Sequence, residues 1–210
     1  MSEKVKLSYG GSEYQLPVVK GSESELGIDI SKFRAESKMI TLDTGFGNTG
    51  SCQSSITFLN GEEGILRYRG YPIEQLSESA SFEEVSFLLL KGELPTSQEL
   101  SSFKKLMLEF NSIPEGLVDT IKTFPKDAHP MGVLSSCLSM LSAYYPEYIK
   151  KTDLNDEEMM KNIAQIMGQM KSILACFYRH SKGEAHVNSN SSLGFAADFL
   201  HMILSKDGKE

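Results

Sequence analysis

The chain has 210 residues and a mass of 23.3 kDa, enough for one large or two small domains with a real hydrophobic core. With 40% hydrophobic and 23% charged residues it sits at the globular norm, which argues against wholesale disorder and against fibrous or collagen-like architectures. The 21 Lys and Arg against 28 Asp and Glu leave a formal charge of -7 and a pI near 5.2, the wrong sign for a non-specific binder of nucleic acid.

The first segment alternates apolar and polar residues as Val5, Leu7, Tyr9, breaks at Gly10-Gly11, and resumes as Tyr14, Leu16, Val18. Period-two alternation around a turn dipeptide predicts a small N-terminal hairpin. After a polar stretch over 20–38, Met39, Ile40 and Leu42 are short extended candidates, and DTGFGNTGS at 43–51 reads as a flexible loop. Ile56 to Leu59 and Ile65 to Tyr68, separated by the turn-rich Asn60 to Gly64, predict a second hairpin. Residues 1–80 thus form a β-rich N-terminal region.

From Ser81 onward the apolar period lengthens to about 3.6 residues. Ser81 and Glu84 have capping-box spacing, with Phe82, Val85 and Leu89 on one predicted face. Thr96 and Glu99 repeat the box just after Pro95, ahead of Leu100, Phe103, Met107 and Phe110. A short helix is expected over 115–123. Pro125 and Pro130 bracket the next loop, after which Leu134, Leu138, Leu141 and Tyr145 mark another buried stripe. Asn155 and an acidic first turn open the longest helix, whose stripe of Met159, Ile163, Ile166, Met170, Ile173 and Phe177 runs toward Arg179. Gly183 stands at its C-terminal stop. A last helix is expected over 193–204, with Ala196, Phe199, Leu200 and Ile203 facing inward. The pattern is mainly α: a helical part of a large domain over 81–210 behind the small β-rich region. The polar SKDGKE at 205–210 reads as a natural tail or a truncation.

Chemistry is sparse. His129, His180, His186 and His201 form no HxxxH, HExxH or His-Cys spacing, so no metal site is expected. His129, ahead of Pro130, is placed to cap a helix, to donate to a carboxylate or to shuttle protons, with a structural role favoured, and the other three read as surface or satisfied polar residues. There is no GxSxG, GxxxxGK[ST] or GxGxxG. Gly45 to Gly50 is glycine-rich, yet no strong helix follows it to offer amides to a phosphate. Arg67 and Arg69 flank Tyr68 on a predicted strand, where period two would aim both at one face toward an acidic ligand or toward Glu62, Glu63 or Glu74. The ten Met are mostly core fillers, and the acidic run Asp153 to Glu158 reads as helix capping, without the ligand spacing of a calcium loop. Cys52, Cys137 and Cys176 form no CxxC and no disulfide framework, which fits a reducing, cytoplasmic compartment. No apolar run approaches the roughly 18 residues of a membrane span and the start holds no apolar core of a signal peptide, so membrane insertion and export are not expected.

The text SCQSSITFLNGEEGILRYRGYPIEQL beginning at Ser51, followed by FEEVSFLLLKGELPT from Phe82, resembles the citrate synthase family. Ala128-His129-Pro130-Met131, Cys176-Phe177-Tyr178-Arg179 and the stretch Gly194 to Met202 are similar to later family motifs in the same order. The likeness covers about residues 40–204, and the N-terminal hairpin is similar to the extension of the larger bacterial type.

This resemblance implies a mostly helical homo-oligomer, dimer or hexamer, that condenses acetyl-CoA with oxaloacetate in the tricarboxylic acid cycle. No cofactor is implied, because acetyl-CoA is a substrate. The family's aspartate base and two histidines lie in its C-terminal half, beyond the motif DFLHMIL, and its main oxaloacetate-binding arginines also lie downstream. No catalytic residue is therefore assigned in this chain, which is expected to be an inactive N-terminal fragment. Part of the family binds inhibitory NADH in this half through basic and histidine residues. The matching stretches here are Glu109-Phe110-Asn111-Ser112 and Gln165 through Gln169, so weak or absent NADH control is expected. The alternatives are a 2-methylcitrate synthase, differing by one methylene of acyl chain, and a non-catalytic helical dimerisation or regulatory module.

Overall fold

The computed structural model describes residues 3–146 and 153–205. The chain divides into two compact units, Met1–Ser55 and Ile56–Glu210.

In the first unit β1 (Lys4–Tyr9), β2 (Ser12–Lys20) and β3 (Leu26–Ile28) form an antiparallel sheet in that order. The expected hairpin is present. Its loop is Gly10-Gly11, with φ of 59° and 81°, and two successive left-handed residues are what a tight hairpin turn requires. Helix α1 (Phe33–Ser37) brings the buried Phe33 edge-on to Tyr14 of β2, with ring centroids 5.8 Å apart, and Leu16 is buried on the same strand. Met39, Ile40 and Leu42 join no strand, and Ile40 and Leu42 are exposed. The 43–51 segment is a loop, but an organised one: the Asp43 carboxylate accepts from the amides of Gly45, Gly47 and Asn48 and from Thr49 Oγ1 at 2.7 Å.

The second unit opens with β4 (Thr57–Asn60), β5 (Ile65–Tyr68) and the short β6 (Tyr71–Pro72), antiparallel in sequence order. The contact boundary falls between Ser55 and Ile56, not at residue 80, because β5 and β6 pack with the helix that follows them. That helix, α2 (Ile73–Ser79), has no sequence expectation behind it and buries Leu76. Then come α3 (Phe82–Lys91), α4 (Ser97–Glu109), α5 (Glu115–Ile121), α6 (Pro130–Tyr144), α7 (Asp156–Lys182) and α8 (Phe195–Leu204).

The helix starts follow from local chemistry. Ser81 with Glu84, Thr96 with Glu99, and Asn155 with Glu158 each form a complete reciprocal capping box. Such a box satisfies amides that the first turn leaves without partners. At α6 the His129 side chain accepts from the Met131 amide, and Pro130 occupies the first helical position, where no amide is needed. Gly183 ends α7 at φ 74°.

Helix α7 organises the unit, packing against α4, α5, α6 and α8. On one side Leu117 and Ile121 of α5, Val133, Cys137 and Leu141 of α6, and Ile173 of α7 form the main core. On the other, Phe87, Phe103, Met107 and Ala164 form a second one. Three expected faces differ from those observed. In α7 the predicted stripe residues Met159 and Ile166 are exposed. In α3 the buried residues are Phe87 and Leu88, whereas Phe82 is 55% exposed and stacks on Phe195. In α8 the buried positions are Asp198 and Met202, whereas Ala196 and Leu200 are exposed. Helix α8 is apolar nearly all round, so its periodicity left the inward face to be decided by tertiary contacts.

Candidate functional site

The C-terminal two thirds of α7 carry polar side chains into the interior: Gln165, Gln169, Lys171, Ser172 and Arg179 are all buried. Four of them, Gln169, Lys171, Ser172 and Arg179, bond to neighbouring segments. Ser172 Oγ donates to the Asn111 carbonyl, just beyond α4. Gln169 Nε2 donates to Tyr145 Oη at 2.9 Å. Lys171 Nζ is ion-paired with Asp198 and lies 4.7 Å from the centre of the Phe195 ring. Asp198 also accepts from Ser189 Oγ at 2.6 Å and from the Asn190 amide at 2.7 Å. Arg179 donates to the Ala185 carbonyl and, at 2.9 Å, to the Ser205 carbonyl, and it pairs with Glu184.

These bonds fasten the 183–194 loop to α7 and α8 and make it one wall of a cleft of about 530 Å³. Asn111 and Ser112 after α4, Lys122 after α5, and His186, Asn188 and Ser189 of the loop line it. Both side-chain polar atoms of Asn111 and Nδ1 of His186 are buried there without a hydrogen-bond partner. Burial pushes the His186 pKa below the usual histidine range, and the charges of Arg179 and Lys122 add to this against an opposing bond with Asn188. Asp198 shows the reverse balance. Burial raises its pKa, but the bonds from Lys171, Ser189 and the Asn190 amide outweigh burial and hold it low.

The structure disperses the residues singled out in the sequence. His129 is the α6 cap, His180 Nε2 lies 2.9 Å from the Phe124 carbonyl oxygen, and His201 Nδ1 lies 2.9 Å from Ser205 Oγ. His186 alone among them opens onto the cleft. Arg67 and Arg69 do not share a strand face. Arg69 occupies the β5–β6 turn at φ 50° and donates through Nε and Nη2 to the Leu89 carbonyl of α3, whereas Arg67 lies over the Phe58 ring. The Arg69-Gly70 pair is what ends the strand, and Gly70 was the available signal.

Asn155 with Glu158 caps α7, Asp156 and Glu157 lie in its first turn, and Asp156 pairs with Lys91 at 3.3 Å. Among the described residues no group of three or more His, Cys, Asp or Glu is placed to hold a metal ion. No helix among them is long and apolar enough to cross a membrane. Cys137 and Cys176 are buried, and burial pushes the Cys176 thiol up to about 11. The buried ion pair and the Asn111 amide are what the sequence reading missed. Polar residues interleaved with the apolar stripe of α7 signalled a polar seam, but not its partners, which come from α8 and from the segment after α4.

This is a mainly α-helical protein built around one long helix with a polar interior seam. Residues 45–210 match the family described as "Citrate synthase, C-terminal domain". Over 202 residues the chain is 36% identical to citrate synthase of Corynebacterium glutamicum, covering 96% of this chain and 46% of the relative. It is 38% identical over 201 residues to citrate synthase of Dictyostelium discoideum, covering 92% of this chain and 39% of the relative. The solved citrate synthase of Thermoplasma acidophilum, in ternary complex with carboxymethyl coenzyme A and oxaloacetate, superposes with a TM-score of 0.71 at 26% identity, covering 78% of this chain and 42% of that one. The chain belongs to the citrate synthase family. It spans less than half the length of these relatives.

Proposed function

We propose that this chain is the N-terminal half of a citrate synthase whose complete form condenses acetyl-CoA with oxaloacetate to citrate and CoA in the tricarboxylic acid cycle. The observation that carries this reading is the match of nearly the whole chain to citrate synthases more than twice its length. The complex of the Thermoplasma protein with a coenzyme A derivative and oxaloacetate supports the choice of substrates. Both curated relatives carry the name citrate synthase, which favours that reading over a 2-methylcitrate synthase or a non-catalytic module.

In this reading the present residues supply scaffold, and no catalytic residue is assigned among them. The buried seam of α7 fixes α8 and the 183–194 loop, on which the remainder of the large domain would be built. The aspartate that removes the acetyl-CoA methyl proton and the two histidines that stabilise the enol and polarise the oxaloacetate carbonyl come from the complementary half. The reaction needs no cofactor. The complete enzyme is a cytoplasmic homo-oligomer, and with Gln165 and Gln169 where basic residues would be needed, its control by NADH is weak or absent.

The test is CoA thiol release from acetyl-CoA and oxaloacetate, comparing residues 1–210 with the complete polypeptide or with the chain plus its complementary half. Release is expected only when both halves are present. Turnover by residues 1–210 alone would overturn the assignment of chemistry to the other half, and no citrate from the complete protein would overturn the enzyme reading. Adding micromolar NADH to the complete enzyme tests the regulatory part, and strong inhibition would refute it.

A further inference from the structure

We draw no further inference here: the strongest candidate, the cleft between α4, α5 and the 183–194 loop with the unpartnered Asn111 side chain in its wall, includes Glu109, Asn111 and Ser112 of one of the stretches where part of the citrate synthase family binds its inhibitory dinucleotide, so a ligand proposed for it restates a known property of the family.

Discussion

Lys171 and Asp198 form an ion pair whose side chains are 2% and 0% exposed, and it joins the middle of α7 to the first turn of α8. Removing one partner strands a charge, whereas removing both leaves only the smaller deficit of neutral donors. Asp198→Ala is therefore expected to cost about 3–5 kcal/mol. The double change Lys171→Met with Asp198→Leu is expected to cost less than that single change. Ser189 Oγ and the Asn190 amide lose their acceptor in both variants, so that loss does not separate them, and the difference is the charge left on Lys171. Equilibrium urea unfolding measures both variants, and a double variant at least as unstable as Asp198→Ala would contradict the account.

His186 sets a pH dependence of definite sign. Its folded pKa is lowered by burial first and then by the charges of Arg179 and Lys122. Between that value and the unfolded one, near 6.5, the unfolded chain binds more protons, so stability rises with pH across this window. Acidification from about pH 6.5 down toward the folded value should lower the unfolding midpoint. His186→Phe should flatten that part of the profile by removing the titration. Parallel profiles for the two proteins between pH 5 and 7.5 would exclude His186 as the source.

Gly168 stands where α7 crosses the end of α4. A Cβ added there would lie 2.9 Å from the carbonyl oxygens of both Met107 and Phe110, and these are backbone atoms that yield only if α4 moves. Gly to Ala inside a helix ordinarily gains up to about 1 kcal/mol. Here the close approach reverses the sign, and Gly168→Ala is expected to lose about 1–3 kcal/mol. Gly132 in α6 is the control, because nothing lies within 4 Å of its added Cβ and the ordinary gain is expected. Thermal unfolding of the two variants should shift in opposite directions, and equal shifts would remove the claim of close packing.

What the sequence made legible was mostly local. Ser81, Thr96 and Asn155 each lie three residues before a glutamate, and a capping box needs nothing further along the chain to form. Gly10-Gly11 set the first hairpin in the same self-contained way. Burial faces were less legible, since Phe82 and Leu200 fit their helical periods and are yet exposed. Arg69 was misplaced because a left-handed turn at one residue ends the two-residue alternation. The Lys171–Asp198 pair could not be read at all. Its partners are 27 residues apart, and only packing of α8 on α7 makes the charges neighbours.

The exposed apolar residues of the second unit give the last prediction. Leu200 is 51% and Leu204 62% exposed, one turn apart on α8, a helix with too little polar surface to face water along its length. Surface of this kind is unfavourable in water and is relieved by association. Residues 1–210 on their own are expected to self-associate or to be only marginally stable. Sedimentation velocity over a concentration series should show growing assemblies, and Leu200→Glu with Leu204→Glu should shift them toward monomer without disturbing the Asp198 contacts on the opposite face. A monomer that persists at tens of micromolar and melts in one sharp cooperative transition would count against this reading.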